Sequence, residues 1–531
     1  MFCVAYFTVN RLRTGVAEEN SAKEISLGMA NASRWCGLLA LSLLVPCLAL
    51  AQGQPDSITV HWDKVAAESK TTPTLQVVVN PPLRRGTPVH DNAYKALHDL
   101  GADYVRYVPW LPYPRLGVAE LEAPKDGKTS WDFSVIDPMT IDFLEATKGH
   151  SAVLNFSTIP QWMYKTDKPV SYPDDPDKVV WDYEQGTDLR DPSFKEVADY
   201  YARLLAWYTQ GGFTDQFGKR HDSGHHFSIP FWEVLNEVDL EHKMSPQTYT
   251  GLYDAVVSAM SRVQPDLKFV SAALAIPGHN AEFFEYFLNP KNHQPGIPLE
   301  YISYHFYAIP SPDESLDIQQ HTVFAQADGF LNTVRYVELI RKRLSPLTKT
   351  MINEIGIISS DDIAQVEPNH MAKPIPDAYW NLAAAEYAYI FGNLTELGIE
   401  VAGESQLVGY PTQFPSVTMV NWTDGKPNAR LWVLHLLKDN FGPGDKLVEL
   451  ASPGSSGPYL YRMATVTKGG KRKILLVNKR NHDLAVTIAG ASGGHVDFVD
   501  VTSGWQPPAT AKLTSEIVTL HGFSVAVVTL P

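Results

Sequence analysis

The chain has 531 residues, 44% of them hydrophobic and 19% charged, which is enough for one large barrel plus a smaller domain. A formal net charge of −15 supplies no basic face for phosphates and so sets the chain against nucleic acid as a partner. Aromatic residues make up 11%, with 12 Trp and 24 Tyr; such rings pack cores and, at a surface, stack on the C–H faces of sugars.

The first recognisable element is an apolar stretch, Cys36 to Ala51, preceded by Arg34 and followed by Gln52. Ala49-Leu50-Ala51 gives a small-x-small cleavage pattern, so residues 1–51 read as a presequence with a signal peptide cut near Ala51. The first 28 residues do not resemble the start of a signal, which makes Met29 a candidate initiator. At about 16 residues the stretch is short for a spanning helix, and no membrane span is expected in the mature form. Leu44-Val45-Pro46-Cys47 lacks the small residue that precedes a lipidated cysteine. Cys3, Cys36 and Cys47 all lie before the cut, so the mature product would carry no thiol, as suits a secreted or periplasmic protein held together by its core.

From Thr74 to about Asn440, short β-rich runs alternate with amphipathic helical patterns, the signature of repeated βα units. The eight expected strands are Leu75–Val79, Tyr104–Val108, Ala152–Phe156, Phe231–Leu235, Lys268–Ala272, Tyr301–His305, Thr350–Asn353 and Ile399–Gly403. Between them, Asp191-Pro192 and Ser245-Pro246 are expected to open helices. Tyr387, Ile390, Phe391 and Leu394 give helical spacing before Gly398. The fold class is α/β: a (β/α)8 TIM barrel over residues 71–442. A doubly wound sheet fits less well, because no Gly-rich phosphate turn follows the first strand. After Phe441-Gly442-Pro443-Gly444 the helical period ends. Residues 443–531 read as an antiparallel β-sandwich with strands Tyr459–Thr467, Arg472–Asn478, Leu484–Ile488, Val496–Val501, Ile517–Leu520 and Ser524–Leu530. The run Ser57–Trp62 is expected to pair with it.

Two of the barrel runs end alike, Phe231-Trp232-Glu233-Val234-Leu235-Asn236-Glu237 and Thr350-Met351-Ile352-Asn353-Glu354. Each delivers a carboxylate at the C-terminal tip of a parallel strand, where barrel chemistry sits. Two carboxylates facing across such a mouth suit glycosidic bond cleavage: one protonates the leaving oxygen and the other answers charge at the sugar carbon. On strand six, alternation places Ser303, His305 and Tyr307 on one face, so His305 and Tyr307 both point into the mouth. Strand two ends in Arg106 and Trp110, and strand three in Asn155 with Trp162 in its loop; each is a candidate sugar contact, with a buried ion pair or plain packing as the alternative for Arg106 and Trp162. His221, His225 and His226 fall on the opposite face of the barrel with no completing ligand spacing and read as a solvated loop. No metal and no cofactor is expected. The loop Lys165–Asp188 follows strand three and is placed to wall the site into a pocket. Arg84 and Arg85 either contact an acidic sugar or are surface charge.

Tyr104-Val105-Arg106, Trp131-Asp132-Phe133 with Ile136-Asp137, Asn155-Phe156-Ser157-Thr158-Ile159-Pro160, the run to Asn236-Glu237 and Asn353-Glu354-Ile355-Gly356 together resemble glycoside hydrolase family 39, which includes β-xylosidases and α-L-iduronidases. The resemblance covers roughly residues 57 to 531. It implies a retaining hydrolase in which Glu237 is the acid/base and Glu354 the nucleophile, Asn236 binds the sugar 2-hydroxyl and Tyr307 hydrogen-bonds the nucleophile. Val238 stands where the family usually has proline after the acid/base, and no tryptophan is evident near Glu404-Ser405-Gln406. The expected partner is an oligosaccharide or glycoside substrate, cleaved from the chain end in the manner of a β-xylosidase. An endo-acting xylanase or glucanase and a non-catalytic carbohydrate-binding barrel are the alternatives.

Overall fold

Eight parallel strands close into a barrel in chain order: β1 Thr72–Val78, β2 Val105–Val108, β3 Ala152–Leu154, β4 Phe231–Glu233, β5 Lys268–Leu274, β6 Tyr301–Ala308, β7 Lys349–Ile357 and β8 Val401–Glu404. The structure is a computed structural model and describes residues 56–166, 172–181, 188–363, 373–451 and 459–531. The expected presequence lies outside the described residues. Helices follow the strands and cover the barrel, among them Lys195–Thr209, Pro246–Val263, Leu316–Leu344 and Asp377–Leu397. Among the described residues no helix is long and apolar enough to cross a membrane.

All eight expected strands are present; their ends differ for local reasons. Strand β4 stops at Glu233 rather than Leu235 because the backbone turns left-handed at Leu235 (φ 64°) and again at Glu237 (φ 41°). Such a conformation is strained for a side chain with a Cβ, by about 1–3 kcal/mol per residue, and it collects at functional sites. Strands β6 and β7 run beyond the expected tips and carry the site on their extensions. The helix expected from Asp191 begins at Lys195, because Phe194 is left-handed (φ 60°); Asp191 still accepts from the Glu196 amide at 3.0 Å, one of the donors a helix start leaves unpaired. Ser245 caps the next helix as expected, accepting from Thr248 N at 3.1 Å.

The C-terminal region forms two sheets. A seven-stranded sheet runs Ala509–Lys512, His495–Val499, Val525–Thr529, Arg472–Asn478, Leu460–Val466, Lys446–Leu450, Val60–Glu68. A three-stranded sheet runs Asp56–Ile58, Leu484–Ile488, Ile517–Leu520. The stretch read as one strand over Ser57–Trp62 is two, one in each sheet. In Arg472–Asn478, Ile474 and Leu476 belong to the core between the sheets, while Leu475 and Val477 join the barrel's own core. Period-two alternation therefore distributes apolar side chains to two cores, which is why the run reads as continuously hydrophobic. The helix Asp377–Leu397 is buried nearly all round, as its sequence requires.

Candidate active site

The floor of the site is one arginine. Arg106, at the centre of β2 and only 1% exposed, donates through Nε to Glu233, through Nη1 to Glu354 and to Gln76 Oε1 (2.6 Å), and through Nη2 to Asn236 Oδ1 (2.5 Å). Its donors serve protein groups, so the expected sugar contact is corrected: Arg106 is the buried charge that holds two carboxylates in place. Glu233 lies beneath the surface, fully buried, and accepts further from Asn155 Nδ2 (2.6 Å), Asn353 Nδ2 (2.7 Å) and Ser303 Oγ (2.5 Å). Asn155 is likewise fully buried and ties Glu233 to the Leu235 carbonyl (3.1 Å); it too is a support rather than a sugar contact.

Above this floor stand Glu237 and Glu354. Parallel pairing of β6 with β7 sets His305 beside Glu354, with one extra residue on β7 between Tyr304 and His305 of its neighbour. That bulge turns consecutive residues the same way: Asn353 reaches Glu233 while Glu354 reaches Arg106. Gly403 on β8 makes room for it, since a Cβ there would lie 3.0 Å from the Asn353 Cα. His305 Nδ1 is 2.9 Å from Glu237 Oε1 and its Nε2 is 3.6 Å from Glu354 Oε1. One oxygen of each glutamate and one His305 nitrogen lie within 4.8 Å of one another, the one such grouping with metal-ligand reach among the described residues. Arg106 and Tyr307 already occupy the Glu354 oxygens, and His305 Nδ1 already pairs with Glu237, so the donor set is built for hydrogen bonding.

The two carboxyls are pushed apart in proton affinity. Burial, reinforced by the Glu354 charge, raises Glu237 above the ordinary carboxylate range despite the opposing pull of His305. Burial also acts on Glu354, but there the His305 and Arg106 charges and the Tyr307 hydroxyl prevail and hold it below its ordinary value. For His305, burial is outweighed by its two carboxylate neighbours, so its pKa is raised.

Tyr307 donates to Glu354 Oε2 at 2.6 Å and lies 2.7 Å from Ser405 Oγ, which accepts from Gln76 Nε2 at 2.7 Å. With its proton on Glu354, Tyr307 accepts from Ser405, and the ring Arg106–Glu354–Tyr307–Ser405–Gln76 closes on itself. Gln76 and Ser405 were invisible as site residues in the sequence; the pairing of β1 with β8 brings them together, and no local motif marks either. Tyr307→Phe removes one bond to an ionised group, and a kcat fall worth on the order of 1.5–3 kcal/mol is expected with KM little changed. An unchanged kcat would mean that the Tyr307–Glu354 bond plays no part in turnover.

Of the remaining expected contacts, Asn236 is tied through Arg106 to Glu354 and Glu233, and Trp110 stands at the rim with its indole N–H on Glu241 Oε1 (2.6 Å). Trp162 is not brought there: its indole N–H bonds the Glu120 carbonyl (2.8 Å) and the Arg190 guanidinium covers its ring at 4.5 Å. Arg84 and Arg85 pair with Asp177 (2.6 Å) and Asp142 (2.7 Å). His221 and His225 each pair with a different aspartate, Asp215 and Asp137. Of the loop Lys165–Asp188, residues 167–171 and 182–187 lie outside the described residues; Trp181 packs on Trp110 (5.4 Å) and Phe414 (5.7 Å). A cavity of about 160 Å³ lined by Asp239, Lys243, Asn280 and Phe283 contains neither glutamate and is separate from this arrangement.

No protein-family model and no curated protein sequence matches the chain. Solved structures do. The GH51 arabinofuranosidase from Xanthomonas axonopodis pv. citri superposes with a TM-score of 0.61 at 13% identity, over 90% of this chain and 100% of that one. A glucosidase from Croceicoccus marinus gives 0.57 at 14%, over 90% and 99%. A GH30 endoxylanase from Clostridium papyrosolvens gives 0.54 at 14%, over 89% and 99%. The likeness is one of fold. It spans barrel and sandwich together, and the chemistry rests on the residues described above.

Proposed function

We infer that this protein is a retaining O-glycoside hydrolase with Glu237 as acid/base and Glu354 as nucleophile. The observation that carries this reading is the pair itself: carboxylates from the turn after β4 and from within β7, with oxygens within 4.8 Å and proton affinities driven in opposite directions. That closeness suits double displacement, where the two carboxyls sit about 5–5.5 Å apart and leave no room for a water between the second carboxylate, Glu354, and the anomeric carbon. Glu354, ionised and aimed by Arg106 and Tyr307, attacks the anomeric carbon as Glu237 passes its proton to the departing oxygen. Water, deprotonated by Glu237, then releases the sugar from Glu354. The solved structures of similar fold include enzymes named as an arabinofuranosidase, a glucosidase and an endoxylanase, which supports the class.

Within that class the reading is a β-xylosidase-like enzyme acting on plant- or polysaccharide-derived oligosaccharides from the chain end, with Asn236 on a sugar hydroxyl and Trp110 as a wall. Export behind the presequence would place it where such substrates are met. A panel of aryl glycosides tests this, with the anomer of the first-formed product followed by NMR before mutarotation. Retained configuration is expected, and inverted product would overturn the double displacement. The dependence of kcat/KM on pH should be a bell. It rises as Glu354 loses its proton, below the ordinary glutamate range, and falls as Glu237 loses its own, above that range.

A further inference from the structure

A third carboxyl stands at the mouth that neither step uses. Four residues after Glu237 the chain turns back, the Glu241 amide donating to the Glu237 carbonyl at 2.8 Å. Glu241 Oε1 accepts from Trp110 Nε1 at 2.6 Å and from Asn236 Nδ2 at 2.8 Å. Its other oxygen is buried with no hydrogen-bond partner among the described residues. The Asn236 amide is thereby fixed from both ends, its oxygen on Arg106 and one N–H on Glu241, and a single N–H remains free. The Trp110 ring, fixed by the same carboxyl oxygen, packs against Trp181 (5.4 Å) and Phe414 (5.9 Å), so Glu241 also holds one wall of the rim.

We propose that Glu241 is a positioning residue of this site: it orients Asn236 so that the free amide N–H meets a hydroxyl of the sugar held between Glu237 and Glu354, and it fixes Trp110 beside that sugar. The inference rests on the hydrolase reading. Glu241 does this work as a neutral acid. An anion would leave one buried oxygen without a donor while facing Glu237 and Glu354; a neutral carboxyl places its carbonyl oxygen under both N–H groups and removes the buried charge. Burial and the neighbouring Glu237 charge push its proton affinity well above the ordinary range, in the same sense.

The test compares Glu241→Leu with Glu241→Gln, each alone and combined with Asn236→Ala, in the full-length enzyme. Leucine removes the acceptor, and kcat/KM is expected to fall about tenfold or more. Glutamine keeps a neutral carbonyl acceptor, so it should restore activity to within about threefold of wild type and leave the pH profile in place. Because Glu241 acts largely through Asn236, Glu241→Leu should cost less than about twofold further on the Asn236→Ala background. Should the leucine variant fail to fold, Glu241→Asp, which withdraws the acceptor by one methylene, replaces it with the same expected loss. Glutamine as damaging as leucine or aspartate, losses that multiply in the double variant, or leucine without effect would each overturn the proposal. A wild-type enzyme inert on every glycoside would overturn the hydrolase reading instead, so the two failures are distinct.

Discussion

Glu354→Ala is expected to lower turnover by on the order of 10⁴–10⁶-fold, the scale at which loss of a covalent nucleophile is felt. The protein should stay folded, because Arg106 keeps Glu233, Gln76 and Asn236 as partners and the missing side chain lies at the barrel mouth rather than in its core. The hole beside the anomeric carbon admits a small anion. Added azide should therefore restore part of the activity on activated substrates and yield a glycosyl azide of configuration opposite to the substrate. Activity near wild type in the alanine variant would remove Glu354 from the mechanism.

The second large effect depends on the leaving group. A phenol of low pKa departs without a proton, so Glu237→Gln should slow its release little, whereas alkyl and sugar leaving groups should lose roughly 10²–10⁴-fold. The second step loses its base as well, so the glycosyl-enzyme should accumulate and KM for activated substrates should fall. The alkaline limb of the pH profile should vanish with the group that made it. An equal loss on every leaving group, with the bell intact, would assign the proton to another residue. Glu233, four residues before Glu237, is sealed under four donors, so Glu241, four residues after it, would be the one to examine.

The barrel was legible because each strand is an apolar run with helical spacing after it, and the two glutamates because both runs end alike. Residues whose role comes from distant pairing were not. Gln76 and Ser405 meet only when β1 closes on β8, and nothing within a few residues of either marks the encounter. Asn155 was found but misread, and of the two readings open for Arg106, sugar contact or buried ion pair, the structure has the ion pair. A polar residue on an inward strand face looks the same in sequence whether it stops below the surface or reaches the mouth, and here the depth of Glu233 decides it. Trp162 shows the converse, a tryptophan, in the loop after a barrel strand, whose ring is already occupied by Arg190. The Asn353 bulge on β7, which no periodicity argument allows for, lets two successive residues of one strand face the same way.

The strand Val60–Glu68 forms the edge of the seven-stranded sheet, paired with Lys446–Leu450 from beyond the barrel. A ribosome delivers that strand first and its partner only after all eight barrel units, so it waits through most of synthesis as an unpaired ribbon. Pairings so remote along a chain are the slow ones, since the whole intervening loop must close before they return any stability. Completion of the sandwich is thus set to be a late event in folding. Until the last strands emerge, the unpaired backbone of this strand has to be kept from other chains.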